Sequence, residues 1–274
     1  MTVVGTTPPP RLPVRDRTAA RENAGGGLSP MLRRLAAEGA TGVLERERGA
    51  LHLVEGRVVH AESPLSPGLE VLLCAHGTLD AATWREAVER ADEKAGAARL
   101  LLESGRIGRG ALELCHLGAL YDAAYFALAP SSTPGHFRYG TGHWFGVLRP
   151  VPVDVLERET LRRRALLDRL WPDPLPDSAP LLPTEPVAAP PLTARQRGVL
   201  ALVDGVRTAS GIARELGRRA FPTLVEVRRL AAAGLVTARF PPPVPPPPPD
   251  LALPRVDDPD ITLLKRLRDA LEAL

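Results

Sequence analysis

The sequence predicts an α+β protein, and three observations carry that class. An alternating apolar pattern with a tight-turn pair lies at 51–61. Apolar residues at helical spacing, punctuated by glycine, run from 68 to 128. Three short helical segments opened by cap residues fill 192–240. The first two belong to an N-terminal antiparallel β/helical domain with a helical insert, and the third to a small second domain. The chain of 274 residues, 44% hydrophobic and 24% charged, is long enough for one large or two small domains with a buried core.

In chain order, residues 1–27 read as a disordered tail, with Pro8 to Pro10, scattered charges and Gly25 to Gly27 but no apolar period. Leu28, Met31, Leu32 and Leu35 then recur at helical spacing, and Gly39 stops the helix. Val43-Leu44 precedes a charged turn at Glu45 to Gly49. Leu51 and Leu53 alternate with His52, Glu55-Gly56 turns the chain, and Val58 to Ala61 returns as a strand. An internal repeat follows at an offset of 28: Leu72-Leu73 matches Leu100-Leu101, Gly77 matches Gly105, Leu79 matches Ile107 and Trp84 matches Leu112. Each copy reads as helix, glycine stop, apolar anchor and longer helix, which predicts a four-helix insert over 68–128. Strand character resumes at His136 to Tyr139 and ends at Trp144. Residues 151–171 hold a charged amphipathic helix. Residues 172–190 read as a proline-rich linker, 191–240 as a compact unit, 241–257 as a polyproline spacer and 258–274 as a C-terminal amphipathic helix.

Thr41-Gly42-Val43-Leu44, the run from Leu51 through Gly56-Arg57 to His60-Ala61, Gly68 to Leu72, and Gly135 to Gly140 together resemble the PATAN family, also known as domain of unknown function 4388. The resemblance covers 28–145, within a domain drawn over 28–150, and implies an adaptor domain of bacterial signalling proteins, with no enzymatic activity. Residues 191–240 resemble a winged helix-turn-helix. Thr193-x-x-Gln196 and Thr223-x-x-Glu226 read as capping boxes, Asp204-Gly205-x-Arg207-Thr208 joins the first two helices, and Gly234-Leu235-Val236 turns into a strand. The polyproline begins right after Phe240, which leaves a second wing strand no sequence downstream.

Charge is segregated. Residues 191–240 carry nine arginines against Asp204, Glu215 and Glu226, a net of +6. A basic helix-turn-helix is the footprint of phosphate contact, so the candidate DNA-binding residues are Arg195, Arg197, Arg214, Arg218, Arg219, Thr223, Arg228 and Arg229. Projected as a helix, 222–233 turns Leu224, Val227, Leu230 and Ala231 to a core. The opposite face holds Val225, Arg229, Ala232 and Ala233, flanked by Glu226 and Arg228, and offers little for reading base edges. Only Lys94 and Lys265 are lysine, so arginine richness also reflects a GC-rich coding bias. With 4% aromatics, stacking on single strands is not expected.

Other chemistry is thinly represented. His60, Cys74, His76, Cys115 and His116 show no metal-ligand spacing, so no metal and no cofactor are expected. No G-x-S-x-G, P-loop or G-x-G-x-x-G is present, and no catalytic residue is assigned. The polar N-terminus lacks an apolar signal core and no apolar run reaches membrane length, which makes the cytoplasm the expected compartment. Leu263, Leu264, Leu267, Leu271 and Leu274 form one apolar stripe, a candidate surface for a protein partner or a homodimer. The expected function is a bacterial DNA-binding transcriptional regulator whose PATAN-like domain senses or binds a partner. The alternative is a signalling adaptor that uses its winged helix for protein–protein contact.

Overall fold

The computed structural model describes residues 28–92, 95–140, 142–185 and 190–239, all of them within one compact unit. The expected N-terminal tail, polyproline spacer and C-terminal stripe of Leu263, Leu264, Leu267, Leu271 and Leu274 lie outside the described residues. Helix and strand are mixed, as an α+β class requires.

Helix α1 (Pro30–Ala37) starts where Ser29 accepts from the Leu32 N–H, with proline at the first helical position. Its Leu32 and Leu35 are buried. Strands β1 (Gly42–Arg46), β2 (Gly49–Val54) and β3 (Arg57–Glu62) follow as a meander, and β4 (His136–Tyr139) joins the far side of β1. The four strands form one antiparallel sheet in the order β3-β2-β1-β4. Glu55 and Gly56 connect β2 to β3 with φ of 50° and 73°, the pair of positive angles that lets a two-residue hairpin follow the twist of its strands. The return of Gly56 also passes beneath the end of α1: a Cβ placed there would lie 2.4 Å from the Ala36 carbonyl oxygen. Gly56→Val is therefore expected to cost about 1–3 kcal/mol from backbone strain, and more from the clash. Urea denaturation checks it, and an unshifted midpoint would contradict this hairpin geometry.

The insert consists of α2 (Leu69–Cys74), α3 (Ala81–Glu89), α4 (Ala97–Glu103) and α5 (Arg109–Ala127). These are the four helices that the repeat predicts. The repeat does not reveal that α5 contributes to all three apolar clusters among the described residues. Leu120, Ala123 and Ala124 pack on the sheet, Leu112 and Ala119 on the other insert helices, and Phe126 on the C-terminal half. From Leu117 onward α5 has no exposed residue, as a helix with apolar residues on several faces requires.

Helix α6 (Val153–Leu170) lies beside α5 and α1. Its buried Glu157 accepts from the Ser29 N–H at 2.9 Å and from Arg33 Nε at 2.6 Å, which anchors the start of α1. The expected linker 172–190 requires a correction. It contains the short helix α7 (Leu175–Ser178) and strand β5 (Leu181–Pro183). The remaining elements are α8 (Ala194–Leu200), α9 (Ala209–Glu215), α10 (Ala220–Ala232) and β6 (Val236–Ala238). Strand β6 pairs antiparallel with β5, Leu181 opposite Ala238 and Pro183 opposite Val236. Strand β6 thus takes its partner from upstream in the chain. Proline fixes an extended-compatible φ, and at the edge of a two-stranded sheet its missing N–H costs no ladder bond.

One core binds this half to the rest. Phe126 of α5, Leu167 of α6 and Leu181 of β5 pack with Val199, Ile212, Phe221, Leu224, Val227 and Leu230. The division at 150 and the linker expected from composition therefore do not mark separate cores. Among the described residues, no helix is long and apolar enough to cross a membrane.

Candidate functional sites

Two clusters stand out, one anticipated and one not. The anticipated one is basic. Arg195 on α8 and Arg218 and Arg219 at the α9–α10 turn line a cleft of about 650 Å³ with Leu72, His76, Leu114, Cys115 and Pro222. Gly217 supplies the turn with φ of 59°, and Gly118 on α5 lets the Arg219 side chain approach within reach of its backbone. None of the three arginines makes an ion pair with a described residue. The one acid in the cleft wall, Glu226, accepts from Arg229 at 3.0 Å. Leu114 is 75% exposed at the rim, so apolar and cationic surface adjoin.

The other predicted residues lie elsewhere. Arg197 donates to the Leu192 carbonyl and Arg214 to the Pro64 carbonyl, and both remain exposed. Thr223 and Arg228 correct the expectation outright. Thr223 is buried, its hydroxyl donating to the Arg219 carbonyl at 3.0 Å. Arg228 is buried in a fork on Asp177. The helical projection identified the core face of α10 correctly, but it left Arg228 on a flank that α7 covers. In all, nine of the thirteen residues of α10 are buried.

The second cluster went unrecognised in the sequence. His52 on β2, His60 on β3, His116 on α5 and His143 in the loop after β4 meet around Glu62 at the end of β3. The His60 and His143 rings stack with centroids 4.0 Å apart, and His52 meets His143 edge-on at 4.3 Å. His60 Nδ1 lies 3.2 Å from His116 Nε2, and His116 stacks on Phe145 at 5.1 Å. The Phe145 N–H donates to His143 Nδ1 at 3.2 Å, so that nitrogen carries a lone pair. His143 Nε2–H accordingly donates to Glu62 Oε1 at 2.9 Å.

Burial sets the charge state. It pulls His52 down to about 4, assisted by the neighbouring His143 and opposed by Glu62. It pulls His116 down to about 4 as well, and His60 well below the ordinary imidazole range, where three histidine neighbours add to the effect. Glu62 is held below the usual carboxylate range by the His143 hydrogen bond. At neutral pH His52, His60 and His116 are therefore neutral imidazoles near the Glu62 carboxylate, a set of nitrogen and oxygen lone pairs. Two cavities flank it, one of about 720 Å³ bounded by His60, Glu62, Trp84 and Trp144, the other of about 800 Å³ bounded by His143, Trp144 and Val54.

Of the five residues weighed as ligands from sequence, the fold brings His60 and His116 together. His76 and Cys115 border the arginine cleft instead, and Cys74 sits at the end of α2. His52, Glu62 and His143 were not among them. No family model matches the chain, and neither a curated protein nor a solved structure matches it.

Proposed function

We propose that this chain is a bacterial regulatory adaptor of PATAN-like type, whose C-terminal helical module binds a protein partner rather than reading a DNA groove. One observation carries the preference. A groove-reading helix-turn-helix must present the first turn of its second helix to base edges. In this chain that turn is the start of α10, and its Phe221 is buried against α5 and α6, which leaves Pro222 alone of the turn's middle residues on the cleft side. The Phe221 N–H donates to Asp122 Oδ2 at 3.0 Å, the Phe221 ring lies 5.7 Å from Tyr125, and the Arg163 guanidinium covers it at 4.5 Å. What the module leaves open is the cleft of Arg195, Arg218 and Arg219 beside exposed Leu114, a surface suited to an acidic segment with an apolar face.

DNA is the second reading, because the same arginines fit phosphate. The two differ in salt dependence. Each phosphate contact contributes roughly 0.9 to the slope of log K against log salt, so three cleft arginines support a slope of no more than about 3. The test uses the full chain, because 191–240 shares its core with α5, α6 and β5. Random duplex DNA and a Glu/Leu amphipathic peptide are titrated from 50 to 200 mM salt. The expected result is saturable peptide binding that Arg195→Ala, Arg218→Ala and Arg219→Ala together abolish, with only weak, shallow-sloped binding to duplex. Duplex binding with a slope of five or more, or selective for sequence, would overturn the adaptor reading in favour of a transcriptional regulator.

A further inference from the structure

The geometry points to a site for a divalent transition-metal ion of the zinc class, held by His52, Glu62 and His143, and we propose that ion binding rearranges the loop carrying His143. One ligand atom from each of the three residues lies within 4.8 Å of the other two. Ligands at roughly 2.0–2.2 Å around a tetrahedral zinc are ~3.3 Å apart, so adjustments of up to about 1.5 Å complete the set. The donors are two imidazoles and a carboxylate, the chemistry this ion class favours over calcium or magnesium.

Three further observations support a built site. His52 Nε2 is buried and has no hydrogen-bond partner, so a ring nitrogen of this residue is left unused. His60 is positioned beside the three, its ring stacked on His143 and its Nε2 3.7 Å from Glu62 Oε1, where it offers a fourth nitrogen. Glu62 is half-exposed at the mouth of a cavity, which provides an entry path.

The loop movement follows from proton bookkeeping. His143 Nε2–H now donates a hydrogen bond to Glu62. An ion takes the Nε2 lone pair, so the ring's single N–H proton moves to Nδ1 and the ring stays a neutral imidazole. Nδ1 can no longer accept from Phe145, so the 3.2 Å bond from the Phe145 N–H must open. Trp144 stands between the two residues, its ring 4.9 Å from that of His143, and reports the change.

The experiment uses the full chain after chelator treatment, titrated with Zn²⁺ by calorimetry and with Co²⁺ by visible absorbance, with tryptophan fluorescence followed in parallel. The expected result is one site per chain, a four- or five-coordinate Co²⁺ spectrum, and a fluorescence change that Trp144→Phe removes. Glu62→Gln keeps an acceptor for His143 and so preserves the fold. It and His143→Phe are expected to weaken binding at least roughly tenfold, while His76→Asn and His136→Gln leave it unchanged. No saturable binding by 100 µM Zn²⁺ overturns the proposal, as does binding that survives Glu62→Gln intact. Binding without the Trp144 signal overturns the loop rearrangement.

Discussion

Asp122→Ala is expected to destabilise the protein by about 3–5 kcal/mol, the cost of leaving a buried charge without its partner. Asp122 is fully buried on α5 and serves two elements at once. Its Oδ1 accepts from Arg163 Nη1 at 2.7 Å, and its Oδ2 accepts from the Phe221 N–H at 3.0 Å. Arg163 is itself buried on α6, donates to Glu159 at 2.8 Å and lies over the Phe221 ring. One carboxylate therefore ties α5, α6 and the first turn of α10 together. Burial pushes the Asp122 carboxyl upward against the pull of Arg163, so the intact pair adds little net stability. The large effect comes from breaking it, which orphans a backbone N–H and leaves the buried Arg163 guanidinium with Glu159 as its remaining carboxylate. Asp122→Asn retains an acceptor for Phe221 and is expected to cost less. Asp122→Leu combined with Arg163→Met removes both charges and is expected to recover most of the loss. Urea denaturation with all four chains decides it. A cost below about 1 kcal/mol for Asp122→Ala would mean that α10 is not held as described and that its first turn is free to meet a DNA groove.

What the sequence made legible was local. The hairpin at Glu55-Gly56, the capping box at Thr193, and the glycine stops of the insert each depend on residues within one turn of one another. What it concealed depends on long-range pairing. Strand β5 lies among prolines and pairs with residues more than fifty positions away, so composition alone suggests a linker. The histidine cluster was concealed by a single irregularity. A regular two-residue hairpin sets Leu53 opposite Val58 and would therefore set His52 opposite Val59. A register shift between His52 and Leu53 sets it opposite His60 instead. The loop that returns His143 and the α5 position of His116 complete a group spread over ninety residues. Only the run of histidines between 52 and 143 hinted at it.

Arg228→Ala is expected to be as damaging as Asp122→Ala, although the sequence places Arg228 among the phosphate-binding candidates. Its Nε and Nη2 grip the two oxygens of Asp177 on α7 at 2.6 and 2.7 Å, and Nη1 donates to the Trp171 carbonyl at the end of α6. The side chain is 2% exposed, against 18% for Asp177. Truncation strands a carboxylate and a carbonyl in an interior of low polarizability, at about 3–5 kcal/mol. For a folded unit of some two hundred residues that lowers Tm by roughly 6–20 °C. Arg228→Lys is not expected to rescue, since a point charge cannot hold two oxygens and a carbonyl in one plane. Arg229 is the internal control. It is half-exposed and, among the described residues, pairs with Glu226 one turn back, so Arg229→Ala is expected to change stability by less than about 0.5 kcal/mol. Substituting both arginines to probe DNA binding would thus report unfolding as loss of affinity. Circular dichroism melts of the two single variants separate the cases: a Tm unchanged in Arg228→Ala would return this arginine to the surface and reopen α10 as a reader of DNA.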